Sequence, residues 1–250
     1  MKYVLPIIIL FSIFFSCSKT SQKALSQEAK LIAAAVQAHG GALYQKANYS
    51  FVFRGTNYSF RHNGQDFTYE RFYEKKDKKI VDRLTNAGFQ RSVNGEKQPL
   101  NARDSIRFGN SLNSVIYFAL LPYKLEDPAV KKAYKGSVFI KGQEYQVVEV
   151  SFREEGGGTD FEDVFYYWLH KDNHTVDYLA YQFHVNKGGV RFRSAYNPRI
   201  IDGIRFQDYV NYKADADTPL AQLPKLFEEG KLSELSRIEL KDVKLLPPNM

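Results

Sequence analysis

The sequence predicts an α+β protein in which one continuous antiparallel sheet carries helices packed on one side. Three observations lead there. Aromatic side chains make up 15% of the 250 residues and gather with β-branched ones in short runs bounded by turn residues, the pattern of successive hairpins. Apolar residues at helical spacing are confined to a few segments. No repeat, low-complexity block or linker divides the chain, whose length suits one large domain.

Residues 1–16 are expected to be a signal peptide, with Lys2 as a short positive region, Tyr3 to Phe15 as an apolar one, and Ser16 as a small residue before the break. The apolar run falls short of the roughly 20 residues that a spanning helix needs. Phe14-Phe15-Ser16-Cys17 resembles the lipobox of bacterial lipoproteins, with Phe14 where leucine is usual. The resemblance implies that Cys17 becomes the lipid-modified first residue of the mature chain, followed by a tether over residues 17–23 and a single domain over 24–250. Cys17 is the sole cysteine, which excludes disulfides and thiolate zinc sites. A nucleophilic thiol needs a base beside it in a folded pocket, and a leader offers none. The net charge of +7 comes without a dense Lys/Arg block, so the expected partners are anionic lipid surfaces or ligands and not nucleic acid.

Ala24 to Ala38 reads as a helix, with Leu25, Ala29, Ile32, Ala33 and Val36 on one face. His39-Gly40-Gly41 ends it, glycine serving as the left-handed cap and His39 lying at the negative end of the helix dipole. From Tyr49 to about Asn94, YSFVFRG, NYSFRHN, DFTYERFYEK, KIVDRL and GFQRSV read as strands. The period turns helical in SIRFGNSLNSVIYFALLP, where Phe108, Leu112, Val115, Ile116, Ala119 and Leu120 share a face and Pro122 is the stop. Asp127-Pro128 predicts a short helix closing near Gly136. Strands follow in SVFIKG, EYQVVEVSFRE, DFEDVFYYWLHK, TVDYLAYQFHV, GVRFRSAY and GIRFQDYVNY, then a helix around Leu220 to Glu229 and one last strand within SRIELKDVKLL.

Several strands are apolar on both faces. Phe161, Phe165, Tyr167 and Leu169 oppose Val164, Tyr166 and Trp168, while Leu179, Tyr181 and Phe183 oppose Tyr178 and Ala180. Both faces are therefore covered, either by helices on one and a hydrophobic cavity on the other, or by helices on both.

The order of elements resembles the LolA-type and LolB-type lipoprotein carriers, and more closely a family of uncharacterised bacterial lipoproteins thought to share their fold. The resemblance is carried by His39-Gly40-Gly41, Phe165 to Trp168, Val176 to Tyr181, and Gly188 to Arg193 through Gly203 to Phe206. It implies an α+β fold in which a curved antiparallel sheet forms an incomplete β-barrel with helices on one side. It also implies a hydrophobic concavity that holds an acyl chain or similar ligand, without chemistry. Tyr69, Tyr73, Phe165, Trp168, Tyr181 and Phe183 are candidates for its apolar lining.

In GGVRFRSAYNPRIIDGIRF, Arg191 and Arg193 project from the same face of a strand, about 7 Å apart. Arg199 and Arg205 follow within one hairpin, and four converging guanidinium groups would hold the carboxylate or phosphate of a ligand. The alternative is a solvated face whose arginines pair with Asp160, Glu162, Asp163 or Asp208. His170, His174 and His184 flank one turn and the next strand, but without an H-E-x-x-H motif no metal site is expected. Gly156 to Gly158 match neither a phosphate loop nor a calcium loop, G-x-S-x-G is absent, and no cofactor is implied. The pairs Asp160 with Glu162 and Asp202 with Asp208 leave open whether they share a cleft. Asp104-Ser105-Ile106 matches a short O-glycosylation pattern, or else Asp104 or Ser105 caps a helix.

Together these readings lead to a non-catalytic lipoprotein, anchored at a membrane through its lipid, that binds a lipid or other amphipathic small molecule. Ser18-Lys19 in place of an aspartate after Cys17 resembles outer-membrane sorting, with the domain facing the periplasm. The rivals are a structural or interaction module with a filled core that contacts an envelope protein, and a hydrolase with Asp163 or His184 as base.

Overall fold

The computed structural model describes residues 25–155, 162–184 and 188–247. The signal segment, Cys17 and the whole of the tether, the glycines at 156–158, Asp160 and Phe161 lie outside the described residues.

Among the described residues, fourteen strands form two seven-stranded antiparallel sheets. The first contains β1 (Asn48–Phe53), β2 (Thr56–Asn63), β3 (Asp66–Lys75), β4 (Lys78–Thr85), β5 (Gly88–Val93) and β6 (Glu96–Lys97) in sequential order, with β14 (Lys241–Leu245) added beside β1. The second contains β7 (Val130–Ile140), β8 (Gln143–Phe152), β9 (Val164–His170), β10 (Val176–Phe183), β11 (Gly189–Ile201) and β12 (Ile204–Ala214), closed off by β13 (Ser233–Ile238). Most strands pair with their neighbours in sequence, and five of the connections are minimal. Arg54-Gly55, Lys76-Asp77, Asn94-Gly95, Lys141-Gly142 and Asp202-Gly203 are two-residue loops with positive φ at both positions, the turn whose twist matches that of the strands.

The ladder is not one sheet, as the sequence suggested, but two. The expected last strand is split, since Glu239 and Leu240 separate β13 on one sheet from β14 on the other. The chain thus turns a corner between sheets there. The corner is tied down from β11 and β12: Asp208 Oδ1 accepts from the Leu240 amide at 2.9 Å, and Arg199 donates both to Asp208 Oδ1 at 3.1 Å and to the Leu240 carbonyl. At the far ends β6 and β7 are unpaired with each other, so the sheets stay open and do not close into a barrel.

Helix α1 (Gln27–His39) and helix α2 (Ala102–Ala119) pack on the inner side. Ile32 and Val36 of α1 and Leu112 and Ile116 of α2 join Tyr49, Phe51, Phe60, Val148, Tyr167 and Phe206 in the main core. Each such side chain contributes about 1.5–3 kcal/mol by leaving water. Asn101 caps α2, its Oδ1 accepting from the Asp104 amide at 2.8 Å, so neither Asp104 nor Ser105 is the cap. At the end of α1, His39 is buried and its Nε2 accepts from the Val176 amide at 3.2 Å. Burial, with the Arg205 charge nearby, lowers its pKa to about 3, so it is neutral and does not complement the helix dipole as a cation.

A third, short helix, α3 (Leu223–Glu228), follows a 3-10 turn at Leu220–Gln222 and covers the opposite face of the second sheet. Leu220, Leu223 and Phe227 there meet Trp168, Tyr178 and Phe192. The doubly apolar strands β9 and β10 are explained by this, since Phe165, Tyr167 and Leu169 face one core while Trp168, Tyr178 and Ala180 face the other.

The helix expected after Asp127-Pro128 is absent. A 3-10 turn at Tyr123–Glu126 comes before it, and from Val130 the chain is strand β7, which alternates in exposure along its length. Gly136, with φ of +97°, sits in a bulge between Tyr134 and Ser137 and caps no helix.

Candidate functional site

A cavity of about 670 Å³ lies between the outward side of α2 and the inner face of the second sheet. It exists because α2 packs against β3, β4 and β5 of the first sheet, leaving its other side facing across open space. Phe118 and Val115 come from that side of the helix; Phe152, Phe165, Tyr181 and Phe183 come from β8, β9 and β10. Phe165 stacks on Tyr181 at 5.2 Å, and Phe118 lies 5.8 Å from the same ring. The wall is a continuous aromatic surface of the kind that small-molecule sites use.

Polar groups share the lining: Asn110, Ser111, Asn113 and Ser114 on α2, and Gln207, Tyr209 and Asn211 on the sheet floor. Gln207 Nε2 donates to both the Val176 carbonyl and the Tyr209 hydroxyl at 2.7 Å, which fixes two floor residues, and burial raises the Tyr209 pKa to about 12. Arg54, Lys124, Arg191 and Arg193 line the cavity against Asp127 and Asp163, so the lining side chains favour an anion. Lys124 lies 4.0 Å from Asp127, with its pKa lowered by burial despite that carboxylate. Asp163 lies 3.6 Å from His184.

Arg193 is the unusual member. It is 7% exposed, and its Nη2 donates to the Tyr181 hydroxyl at 2.9 Å. Its guanidinium lies 4.0 Å from the centre of the Phe118 ring. Nε and Nη1 are buried without a hydrogen-bond partner, and among the described residues no carboxylate pairs with this cation. A stacked, desolvated guanidinium gains up to about 2 kcal/mol from the ring. A charge-assisted hydrogen bond contributes about 1.5–3 kcal/mol, so one oxyanion making two such bonds outweighs the ring contact.

The structure brings five of the sequence-predicted residues to this cavity: Phe165, Tyr181, Phe183, Arg191 and Arg193. Arg191 is half-buried, stacked 4.9 Å from the Phe183 ring and donating to the Val190 carbonyl at 2.9 Å. Arg199 is elsewhere, at the corner between the sheets, because a bulge between Tyr196 and Arg199 shifts the register of β11. Arg205 donates from Nε to Gln207 Oε1 at 3.1 Å, its charge bears on His39, and it does not reach the cavity.

Three expected lining residues are also elsewhere. Trp168, 1% exposed, belongs to the core beneath α3. Tyr69 is in the main core, its hydroxyl 3.1 Å from His62 Nε2. Tyr73 accepts from Arg91 at 3.1 Å in a separate cleft of about 380 Å³. That cleft is built over Asp82, which is fully buried and held by Arg71 and Arg91 at 2.6 Å each.

Phe118, Lys124, Gln207 and Asn211 line the cavity without having been singled out from sequence. The available signal was on α2, where Tyr117 and Phe118 lie off the main apolar face and so give the helix a second aromatic side. The histidines do not assemble: His170 Nδ1 accepts from the amides of Asp172 and Asn173, and no cluster suited to a metal occurs among the described residues.

Two open antiparallel sheets, a helix across the gap and an aromatic cavity beneath it define an open half-barrel of the LolA type. A LolA superfamily protein from Nitrosomonas europaea has this fold, with a TM-score of 0.52 and 11% identity over 90% of this chain and 96% of that one. A DUF1329 family protein from Desulfovibrio piger gives 0.39 and 14% over 86% and 90%, and the Mycobacterium tuberculosis lipoprotein LppX gives 0.28 and 10% over 64% and 90%. The chain belongs to DUF6503, a family of unknown function whose model matches residues 5–240. No curated protein matches it.

Proposed function

We propose that this protein is a lipid-anchored lipoprotein of the cell envelope that holds a hydrophobic or amphipathic ligand in the cavity between α2 and the second sheet, without covalent chemistry. The observation that carries the reading is the cavity itself: about 670 Å³, with Phe118, Phe152, Phe165, Tyr181 and Phe183 in its wall. Apolar surface left unfilled between packed elements favours a ligand that completes the core. An interaction module with a filled core would have no use for such a space. The lipobox-like Phe14 to Cys17 and the outer-membrane-like Ser18-Lys19 support an anchor on the outer membrane with the domain on the periplasmic side.

Native mass spectrometry of the purified mature domain, followed by organic extraction, tests this reading. The expected result is a non-protein mass that extraction removes and that added amphiphile restores. A protein that carries no amphiphile, and takes up neither fatty acids nor phospholipids, refutes it.

A further inference from the structure

We propose, resting on the carrier reading above, that the cavity takes a single-tailed amphiphile whose oxyanion head group, a carboxylate or a phosphate monoester, sits on Arg193.

The head group follows from Arg193. A guanidinium carries five donors in a planar fork, and here only the Tyr181 hydroxyl accepts from it. Buried charge without a counterion is strongly disfavoured, and a native chain retains it where something else supplies the opposite charge. The carboxylates of the wall do not do so: Asp127 faces Lys124 and Asp163 faces His184. Phe118 lies over the face of the cation, which leaves the donors of Nε and Nη1, directed along the guanidinium plane, for an entering oxyanion. Arg191, half-buried two residues along β11, adds a second positive charge on the same wall.

The tail follows from volume. With a methylene taken as about the ~30 Å³ that a liquid water occupies, 670 Å³ holds about 22 such groups. One long acyl chain with its head group fills that space, whereas a diacyl lipid has roughly twice as many groups and a triacylated protein anchor roughly three times. The aromatic walls run from β8 to β10 beside Arg193, which places tail and head in one continuous site.

The test is binding of palmitate, hexadecyl phosphate, hexadecanol and dipalmitoyl phosphatidate to the delipidated mature domain and to its Arg193→Met variant. Palmitate or hexadecyl phosphate is expected to bind at 1:1 and at least tenfold more tightly than hexadecanol, and the comparison between them tells which oxyanion is preferred. The variant is expected to bind hexadecanol as the parent does and to lose the anion preference. Hexadecanol binding as tightly as both anions to the parent, a variant that keeps the preference, or phosphatidate matching the single-tailed anions each overturns the proposal while leaving the carrier reading intact. Failure of every amphiphile, hexadecanol included, refutes both.

Discussion

Arg193→Met should make the ligand-free protein more stable. The parent side chain keeps two buried guanidinium nitrogens without partners and a cation without a counterion, a desolvation penalty of several kcal/mol. Against it stand one hydrogen bond to Tyr181, about 1.5–3 kcal/mol, and the stack on Phe118, up to about 2 kcal/mol. Methionine keeps an unbranched side chain of similar reach among Phe118 and Tyr181, where its sulfur makes favourable ring contacts. The expected net gain is about 1–2 kcal/mol, by analogy with buried charged groups replaced by apolar ones. Urea unfolding of the mature domain, delipidated first, measures it as a raised midpoint at unchanged slope, with Tm rising by roughly 2–4 °C per kcal/mol. A loss of more than about 1 kcal/mol refutes the reasoning, because it would mean that Arg193 holds the fold together and is not an unsatisfied element of a binding site.

Further outcomes follow from other parts of the molecule. Asp82→Ala leaves Arg71 and Arg91 facing each other without their shared carboxylate, and should cost about 3–5 kcal/mol in urea unfolding. Burial lowers the pKa of His62 to about 4 and of His39 to about 3, so both are neutral when folded and protonate near pH 6.5 when unfolded. The unfolded state then binds more protons, and stability should fall as pH drops below about 6.5, by up to about 1.4 kcal/mol per pH unit for each histidine until its folded pKa is reached. A urea midpoint that stays flat between pH 6.5 and 4.5 contradicts this. Asn101→Ala removes the cap of α2 and should cost about 1 kcal/mol, read as a Tm shift. Cys17→Ser should move the protein from the membrane fraction to the soluble one, since the hydroxyl cannot take the thioether lipid.

Much of the fold was legible because each hairpin carries its own signal. In Lys78 to Val93, alternating apolar residues flank an Asn-Ala-Gly turn, and no distant contact is needed to see it. The first half of strand β7, before Gly136, was not legible in the same way. Pro128 after Asp127 looks like a helix start, and only pairing with β8, including a Tyr134 hydroxyl bond to Gln146 at 2.7 Å, decides for strand. The corner at Glu239-Leu240 was equally hidden, since a run of alternating residues does not state which sheet each half joins.

For the site, strand parity was the informative quantity. Arg191 and Arg193 alternate with Val190 and Phe192, and they face the cavity while the latter pack beneath α3. The same rule separates Phe165 from Trp168, which three residues along a strand must face opposite ways. Arg199 lies beyond a bulge, where parity counted from Arg193 no longer holds. Tyr69 and Tyr73 belong to the first sheet, where Tyr69 packs in the main core and Tyr73 borders the smaller cleft beside α2, and nothing in their own spacing reveals which sheet borders the larger cavity.

The corner at Glu239-Leu240 gives the protein a spine. The line between the two seven-stranded leaves is crossed here: the chain leaves one at Ile238 and joins the other at Lys241. At that line Ile238 and Leu240 are themselves part of the cavity wall, while Asp208 receives a backbone amide from the corner together with Arg199 and Asn197. A single carboxylate thereby fastens the segment that both links the two sheets and supplies part of the cavity wall. The edge where the chain changes sheets is thus also a boundary of the cavity, and Asp208 belongs to the cavity's architecture without lining it.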